Sequence, residues 1–134
     1  MGTTTASDIM STELITLREG ATLEAAVKML VNNRITGVPV VNAAGKMIGV
    51  LSEYDIIRQV GESAEPPPGV FQNPVEFSET VFTLKSDASI ETIIEHFVKA
   101  KYRRIPIVDA NDRLVGIITR RDLMKLFFYR AKLP

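Results

Sequence analysis

The sequence predicts an α+β fold, within the broader α/β class, built from two copies of one β-α-β-β-α repeat. Residues 14–60 align with residues 81–127 at a constant offset of 67 positions, and ten of the 47 aligned pairs are identical. In 16 of the remaining 37 pairs one apolar residue replaces another. A repeat of this size cannot bury its own apolar face, so we expect the two copies to pack on each other and to leave two similar clefts.

Each repeat begins with a short apolar strand and a helix. The strands are predicted at Leu14–Leu17 and Val81–Leu84. Thr22 and Ser89 then precede apolar residues at helical spacing, and hydroxyl side chains are favoured at helix N-caps. The sequence therefore predicts one helix after each of these two residues.

Two further strands and a second helix complete each repeat. The predicted hairpins join Val38–Val41 to Met47–Leu51 and Ile105–Val108 to Leu114–Ile118. Both connections contain Asn, Asp or Gly, which are turn formers. Proline cannot donate to a central ladder, so we place Pro39 and Pro106 at a strand start or on a sheet edge. The second helices are predicted at Glu53–Val60 and from Arg120 to about Phe128.

The chain divides into four predicted segments. Residues 1–13 form a lead-in that we expect to pack against the opposite repeat, and residues 14–60 form the first repeat. Residues 61–80 form a Pro-rich linker and a second lead-in, stiffened by three consecutive prolines. Residues 81–134 form the second repeat with a C-terminal helix, whose apolar end is expected to cover a neighbouring surface.

Composition narrows the possible functions. The chain has no cysteine and a single histidine, which excludes disulfides, thiolate catalysis and cysteine-ligated zinc. No apolar run reaches the roughly 18 residues of a membrane span, and the N-terminus shows no secretory signal, so we expect a cytoplasmic protein. The net charge is zero, but residues 1–67 carry −3 and residues 68–134 carry +3. The basic second half is either a solvated surface or a local site for an anion.

One motif occurs in both repeats and supports a functional hypothesis. It reads Gly-h-h-[Ser/Thr]-x-x-Asp, where h is apolar, and its copies are Gly49-Val-Leu-Ser52-Glu-Tyr-Asp55 and Gly116-Ile-Ile-Thr119-Arg-Arg-Asp122. A hydroxyl residue followed three positions later by an acid can simply cap a helix. A helix N-terminus also suits a phosphate, and a carboxylate there can accept hydrogen bonds from the vicinal hydroxyls of a ribose. The strands Val38–Val41 and Ile105–Val108 could then supply an apolar wall for a flat base.

The order and spacing of these motifs resemble a tandem pair of cystathionine β-synthase (CBS) domains, often called a Bateman module. The resemblance runs from about Asp8 to Phe127. Its markers are Ile15-Thr-Leu17, Val38-Pro-Val-Val41 and Gly49…Asp55 in the first repeat, and Phe82-Thr-Leu84, Ile105-Pro-Ile-Val-Asp109 and Gly116…Asp122 in the second. The resemblance implies two small sheets flanked by helices, a pseudo-two-fold arrangement with ligand clefts between the domains, and a homodimer.

The resemblance also implies a function. Many members bind adenine nucleotides or S-adenosylmethionine, so we expect a non-catalytic sensor of an adenosyl ligand that needs no cofactor or metal and acts on an unidentified partner protein. It implies that Asp55 and Asp122 bind ribose hydroxyls and that Ser52 and Thr119 approach the phosphate. The implied base contacts are Thr16, Val38, Pro39, Thr83, Ile105 and Pro106. The candidate phosphate-binding cations are Arg120 and Arg121, with Arg103 or Arg104 as alternatives that could serve the first site.

Two departures from repeat symmetry lead to further expectations. Residues 53–54 are Glu-Tyr, whereas residues 120–121 are Arg-Arg. Glutamate beside a phosphate is unfavourable and arginine is favourable, so we predict that the Asp122 site is the better nucleotide binder. Upstream, residues 75–77 lack the family pattern of residues 8–10, so we expect the second lead-in to pack differently.

Two other functions remain open from the sequence. A ligand-free dimerisation or assembly module would use the motif only for capping, and the apolar segment Leu126–Tyr129 supports it. A single-stranded nucleic acid binder would use Tyr102, Arg103 and Arg104, but the zero net charge makes this the weaker alternative. No nucleophile or acid–base pair stands out, so we do not expect an enzyme.

Overall fold

The computed structural model describes residues 4–61 and 64–132. In chain order its elements are α1 (Ala6–Ile9), β1 (Leu17–Arg18), α2 (Leu23–Asn33), β2 (Gly37–Val41), β3 (Met47–Ser52), α3 (Glu53–Val60), β4 (Leu84–Lys85), α4 (Ile90–Lys99), β5 (Arg104–Val108), β6 (Leu114–Thr119) and α5 (Arg120–Lys132). One compact unit is Ile15–Val81, and the other joins Met1–Leu14 to Phe82–Pro134. Each unit therefore contains one repeat and the lead-in of the other.

Both units have the same sheet topology, which confirms the predicted α+β class. β1 runs parallel to β2, which pairs antiparallel with β3, and β4, β5 and β6 repeat this arrangement. Asn42 and Asp109 shape the two hairpin turns, because each side chain accepts hydrogen bonds from backbone N–H groups two and four residues later. The first strand of each repeat has two residues, which is shorter than predicted.

The two strand prolines lie in central strands, so the prediction of a strand start or an edge is wrong. Pro39 of β2 lies opposite Val50 of β3, and Pro106 of β5 lies opposite Ile117 of β6. Val50 and Ile117 direct their N–H groups to the lead-ins, so the proline pairs are not hydrogen-bonded pairs. On the other side, β1 and β4 pair only with the last two residues of β2 and β5. Proline is tolerated because no neighbouring strand needs its missing N–H.

The lead-ins extend the sheets of the opposite repeats. Ser11 forms an antiparallel β-bridge with Ile117, with N···O distances of 2.9 and 3.0 Å. Ser78 forms the equivalent bridge with Val50, also at 2.9 and 3.0 Å. Each lead-in thereby satisfies the edge N–H of the strand that carries the motif glycine.

A large side chain from each lead-in covers the motif glycine. Met10 lies against Gly116, and Phe77 lies against Gly49, so a Cβ atom on either glycine would collide with these side chains. Both lead-ins therefore cover a motif glycine with one side chain, and the expected difference in packing does not extend to this feature. The lead-ins do differ upstream, where the first forms α1 and the second forms a 3-10 turn at Val70–Gln72.

Each unit has its own apolar core, to which both sheet and helices contribute. The largest fully buried side chains are Leu23, Val38, Val40 and Leu51 in the first unit and Ile93, Ile105, Ile107, Val108 and Ile118 in the second. α5 continues to Lys132, further than predicted, and its residues Phe128 and Tyr129 are 60% and 68% exposed. No helix in the described part of the chain is both long and apolar enough to cross a membrane.

Candidate functional site

The repeated motif lies where the last strand of each repeat passes into the last helix. β3 ends at Ser52, the N-cap of α3, and β6 ends at Thr119, directly before α5. Each hydroxyl oxygen accepts a hydrogen bond from the backbone N–H of the motif aspartate, at 3.2 Å for Asp55 and 3.3 Å for Asp122. The first half of a capping box therefore forms in both repeats.

Each motif aspartate completes the capping box with one carboxylate oxygen. Oδ2 of Asp55 accepts hydrogen bonds from the backbone N and the Oγ of Ser52, at 2.9 and 3.0 Å. Oδ2 of Asp122 accepts the same pair from Thr119, at 2.8 and 3.1 Å. The boxes hold both carboxylates in equivalent positions and leave Oδ1 as the atom with which either could bind another group.

The Oδ1 atom distinguishes the two repeats. Arg58 donates from Nη2 to Oδ1 of Asp55 at 3.0 Å, and the Asp55 side chain is only 12% exposed. Asp122 is half-buried, and its Oδ1 has no hydrogen-bond or ion-pair partner among residues 4–61 and 64–132. The second repeat therefore presents an open acceptor at the position where the first presents an ion pair.

The helix N-termini are less open to a phosphate than the sequence indicates. The N–H of Glu53 donates to the carbonyl of Thr36 at 3.0 Å, and the N–H of Arg120 donates to the carbonyl of Arg103 at 3.3 Å. The capping boxes use the N–H groups of the N-cap residue and of the aspartate. Within the described residues, this leaves the N–H of the second helical residue as the donor that a ligand could meet.

The strand residues expected to contact a base are divided between two faces. Val38 and Ile105 are 1% and 0% exposed and belong to the two cores, so only their backbone could meet a ligand. Pro39 and Pro106 point to the opposite sheet faces, because successive strand residues alternate, and they are also buried. The half-buried residues directly before β1 and β4 are Thr16 and Thr83.

The guanidinium of Arg120 is hydrogen-bonded to the backbone of its own repeat. Its Nε donates to the carbonyl of Tyr102 and its Nη2 to the carbonyl of Lys101, both at 2.9 Å. These bonds hold the loop before β5, where Lys101 has a left-handed backbone with φ of 57°. Arg120 is therefore a weaker candidate for a phosphate contact than its position in the motif indicates.

The other three candidate cations have different environments. Arg104 is half-buried and lies opposite Thr119 across β5 and β6. Arg103 and Arg121 are exposed, and neither is part of an ion pair in the part of the chain that the structure describes. Arg121 follows Thr119 by two residues, so it is the exposed cation nearest in sequence to the open carboxylate of Asp122.

Sequence reasoning did not identify two features that surround these sites. Arg58 pairs with Asp55 one helical turn earlier, and its guanidinium carbon lies 5.7 Å from the ring centroid of Tyr54. The i,i+3 spacing of an acid and an arginine on a predicted helix is the signal that could have found this pair.

The second feature is an aromatic cluster that occurs only in the second repeat. Phe82 stacks on Tyr102 with centroids 4.7 Å apart, and its centroid lies 4.6 Å from that of His96. The aligned residues of the first repeat are Ile15, Met29 and Ile35. Tyr102 also supplies a carbonyl to Arg120, so the cluster and the arginine stabilise the same loop.

No group of three or more metal-ligating side chains occurs within the described ranges.

Comparison with known proteins agrees with the repeat structure. The family model of the CBS domain matches the chain twice, at residues 6–62 and 75–129. A homoserine O-acetyltransferase of Methanococcoides burtonii is 28% identical over 123 residues, which cover 92% of this chain. The same match covers 24% of that protein, so the chain spans about a quarter of its length.

Solved structures share the fold across nearly the whole chain. The structure of CBSX2 in complex with AMP has a TM-score of 0.76 and 22% identity, and the match covers 96% of this chain and 98% of that one. A CBS domain pair in complex with 5′-methylthioadenosine and S-adenosyl-L-methionine has a TM-score of 0.71 and 25% identity, with 96% and 99% covered. The chain therefore belongs to the CBS domain family and contains two copies of the domain.

Proposed function

We propose that this chain is a non-catalytic regulatory module that senses an adenosyl ligand. CBS domain pairs are in general regulatory parts of proteins, and a pair that is 25% identical was solved with two adenosyl compounds. The observation in this chain that supports the proposal is the open Oδ1 of Asp122, held in place by the capping box at the start of α5.

The second repeat offers groups that suit each part of such a ligand. The vicinal hydroxyls of the ribose donate to Oδ1 of Asp122, and the negative charge of the acceptor strengthens both bonds. Thr83, which is half-buried directly before β4, is the proposed base contact. Arg121 offsets the negative charge of a nucleotide phosphate or of the carboxylate of S-adenosylmethionine.

α5 extends from this site to an exposed surface that a partner protein could contact. The helix begins at the capping box of Asp122 and ends in a segment where Phe128 and Tyr129 are exposed. A ligand can shift an equilibrium between two states only by its difference in affinity for them. We therefore expect ligand binding to change the affinity of the chain for a partner protein that contacts α5.

Thermal unfolding with a panel of ligands tests the proposal. The panel contains AMP, ADP, ATP, S-adenosylmethionine and NAD, with inorganic phosphate as the control. A ligand at about 100 times its dissociation constant stabilises the folded state by roughly 2.7 kcal/mol, which raises the Tm by several degrees. The proposal is contradicted if no adenosyl compound raises the Tm.

A ligand-independent homodimer is the second candidate function. Four apolar side chains at aligned positions of the two repeats are between 63% and 68% exposed, and they are Val31, Ile57, Val98 and Met124. Val31 and Ile57 line an apolar groove of about 350 Å³ between α2 and α3. Because both repeats expose the same face, a second copy of the chain is the occupant that fits this pattern.

Sedimentation velocity with and without ATP separates the two candidates. The assembly function predicts a dimer whose stability does not depend on ATP and which Ile57→Glu shifts towards monomer. A chain that remains monomeric at high micromolar concentration excludes the assembly function.

A further inference from the structure

We infer that an ion pair within the first repeat blocks the carboxylate that would bind a ribose there. The chain then binds one adenosyl ligand tightly, and it binds this ligand in the second repeat. The inference rests on the proposed function and adds the residue that decides which repeat is used. That residue is Arg58, which lies on α3 one turn after Asp55.

Arg58 is hydrogen-bonded to the carboxylate oxygen that would accept from a ribose. Its Nη2 donates to Oδ1 of Asp55 at 3.0 Å, and Oδ2 of the same carboxylate is already held by the capping box. The Asp55 side chain is only 12% exposed, so little of its surface remains open beside the guanidinium. A carboxylate oxygen can accept two hydrogen bonds, so Arg58 competes with a ribose rather than excluding it completely.

Tyr54 helps to hold Arg58 in this position. The guanidinium carbon lies 5.7 Å from the ring centroid, which is within the range of a cation–π interaction. An ion pair is usually weakened when its arginine is exposed and free to move, and a second contact on the same helix reduces that freedom. Glu53 adds a negative charge at the first residue of the helix, where a phosphate would lie.

The second repeat lacks each of these contacts. The residues aligned with Tyr54 and Arg58 are Arg121 and Lys125. Lys125 is exposed and forms no ion pair within residues 4–61 and 64–132. A lysine has no planar fork of donors with which to hold a carboxylate, so Asp122 stays available.

Calorimetric titration of S-adenosylmethionine and of ATP into paired variants of the full chain tests the inference. Both members of the first pair carry Asp122→Asn, which weakens the second site, and one also carries Arg58→Met, which keeps an apolar stem without the guanidinium. We expect the double variant to bind about fivefold more tightly than Asp122→Asn alone, which corresponds to ~1 kcal/mol, near the upper end for an exposed ion pair.

The matched control is made in the other repeat. It compares Asp55→Asn with Asp55→Asn/Lys125→Met, and we expect no gain in affinity because Lys125 does not cover Asp122. Thermal unfolding without ligand establishes first that all four variants are folded.

The outcomes separate the inference from the proposed function. No gain from Arg58→Met, or an equal gain from Lys125→Met, overturns the inference and leaves an adenosyl-binding module. If neither S-adenosylmethionine nor ATP binds to the unaltered chain, the proposed function and the inference are both overturned.

Discussion

The two repeats share their backbone contacts and differ in the chemistry of the same positions. Gly49 and Gly116 both lie under a lead-in side chain, and both motif aspartates form capping boxes. Only Asp55 is paired with an arginine, while the Oδ1 of Asp122 has no partner within the described residues. The duplication has thus kept the residues that each repeat needs in order to fold, and the groups around the candidate ligand site have diverged.

The largest expected difference between the repeats concerns the motif glycines. A Cβ atom at position 49 would lie 2.5 Å from the backbone oxygen of Ser78 and would also collide with the ring of Phe77. At position 116 the three nearest atoms all belong to the side chain of Met10. We expect Gly49→Ala to lower the free energy of unfolding by about 3 kcal/mol and Gly116→Ala by about 1 kcal/mol, because methionine can move and a bridged backbone cannot.

Urea unfolding of the two glycine variants measures this difference. The Ser78 backbone cannot easily withdraw, since its N–H and carbonyl are both bonded to Val50. Equal destabilisation by both substitutions would show that the two lead-ins are held equally rigidly, against the present account.

A smaller effect is expected for the cation beside the open carboxylate. Arg121→Tyr gives the second repeat the residue that the first repeat has at this position. We expect it to weaken binding of ATP about tenfold and of adenosine less than twofold, because only ATP carries the charge that arginine offsets. Fluorescence-based competition with both ligands measures the ratio, and equal losses for ATP and adenosine would mean that Arg121 does not contact the phosphates.

The smallest effect is expected at the hairpin turns. The backbone N–H of Arg113 is the main cause that lowers the pKa of Asp109 below its ordinary value of 3.8, whereas Asn42 makes the same turn bonds without titrating. The ionised Asp109 therefore stabilises the fold fully above the unfolded pKa, and this contribution is lost as the pH falls through the lower pKa of the folded state. We expect Asp109→Asn to make the Tm less sensitive to pH below about pH 4, as calorimetry between neutral and acidic pH would show.

The sequence was sufficient to predict the repeat, the order of its elements and the capping boxes. An ungapped offset between apolar patterns fixes the topology, and a hydroxyl with an acid three residues later is a local signal. The positions of Pro39 and Pro106 were predicted wrongly because their tolerance depends on the length of β1 and β4 and on the N–H directions of β3 and β6. Those are long-range properties that a strand pattern does not contain.

The candidate site was predictable as a location and less so in its details. Ser52, Asp55, Thr119 and Asp122 occupy the expected helix starts. Arg120 donates hydrogen bonds to two backbone carbonyls, and Val38 is buried in the core. Both contacts depend on the direction of the side chain, which the sequence pattern does not give. The pairing of Arg58 with Asp55 depends on the same kind of choice, because an exposed arginine has several rotamers of similar energy.

The most direct test of the account compares the two motif aspartates in ligand binding. Asp122→Asn and Asp55→Asn each remove one charge and keep the size of the side chain and an oxygen for the capping box. Calorimetric titration with S-adenosylmethionine is expected to show about tenfold weaker binding for Asp122→Asn, since the ribose loses its charged acceptor, and a change of less than twofold for Asp55→Asn. An equal loss in both variants, or a larger loss for Asp55→Asn, would contradict the claim that the second repeat carries the ligand site.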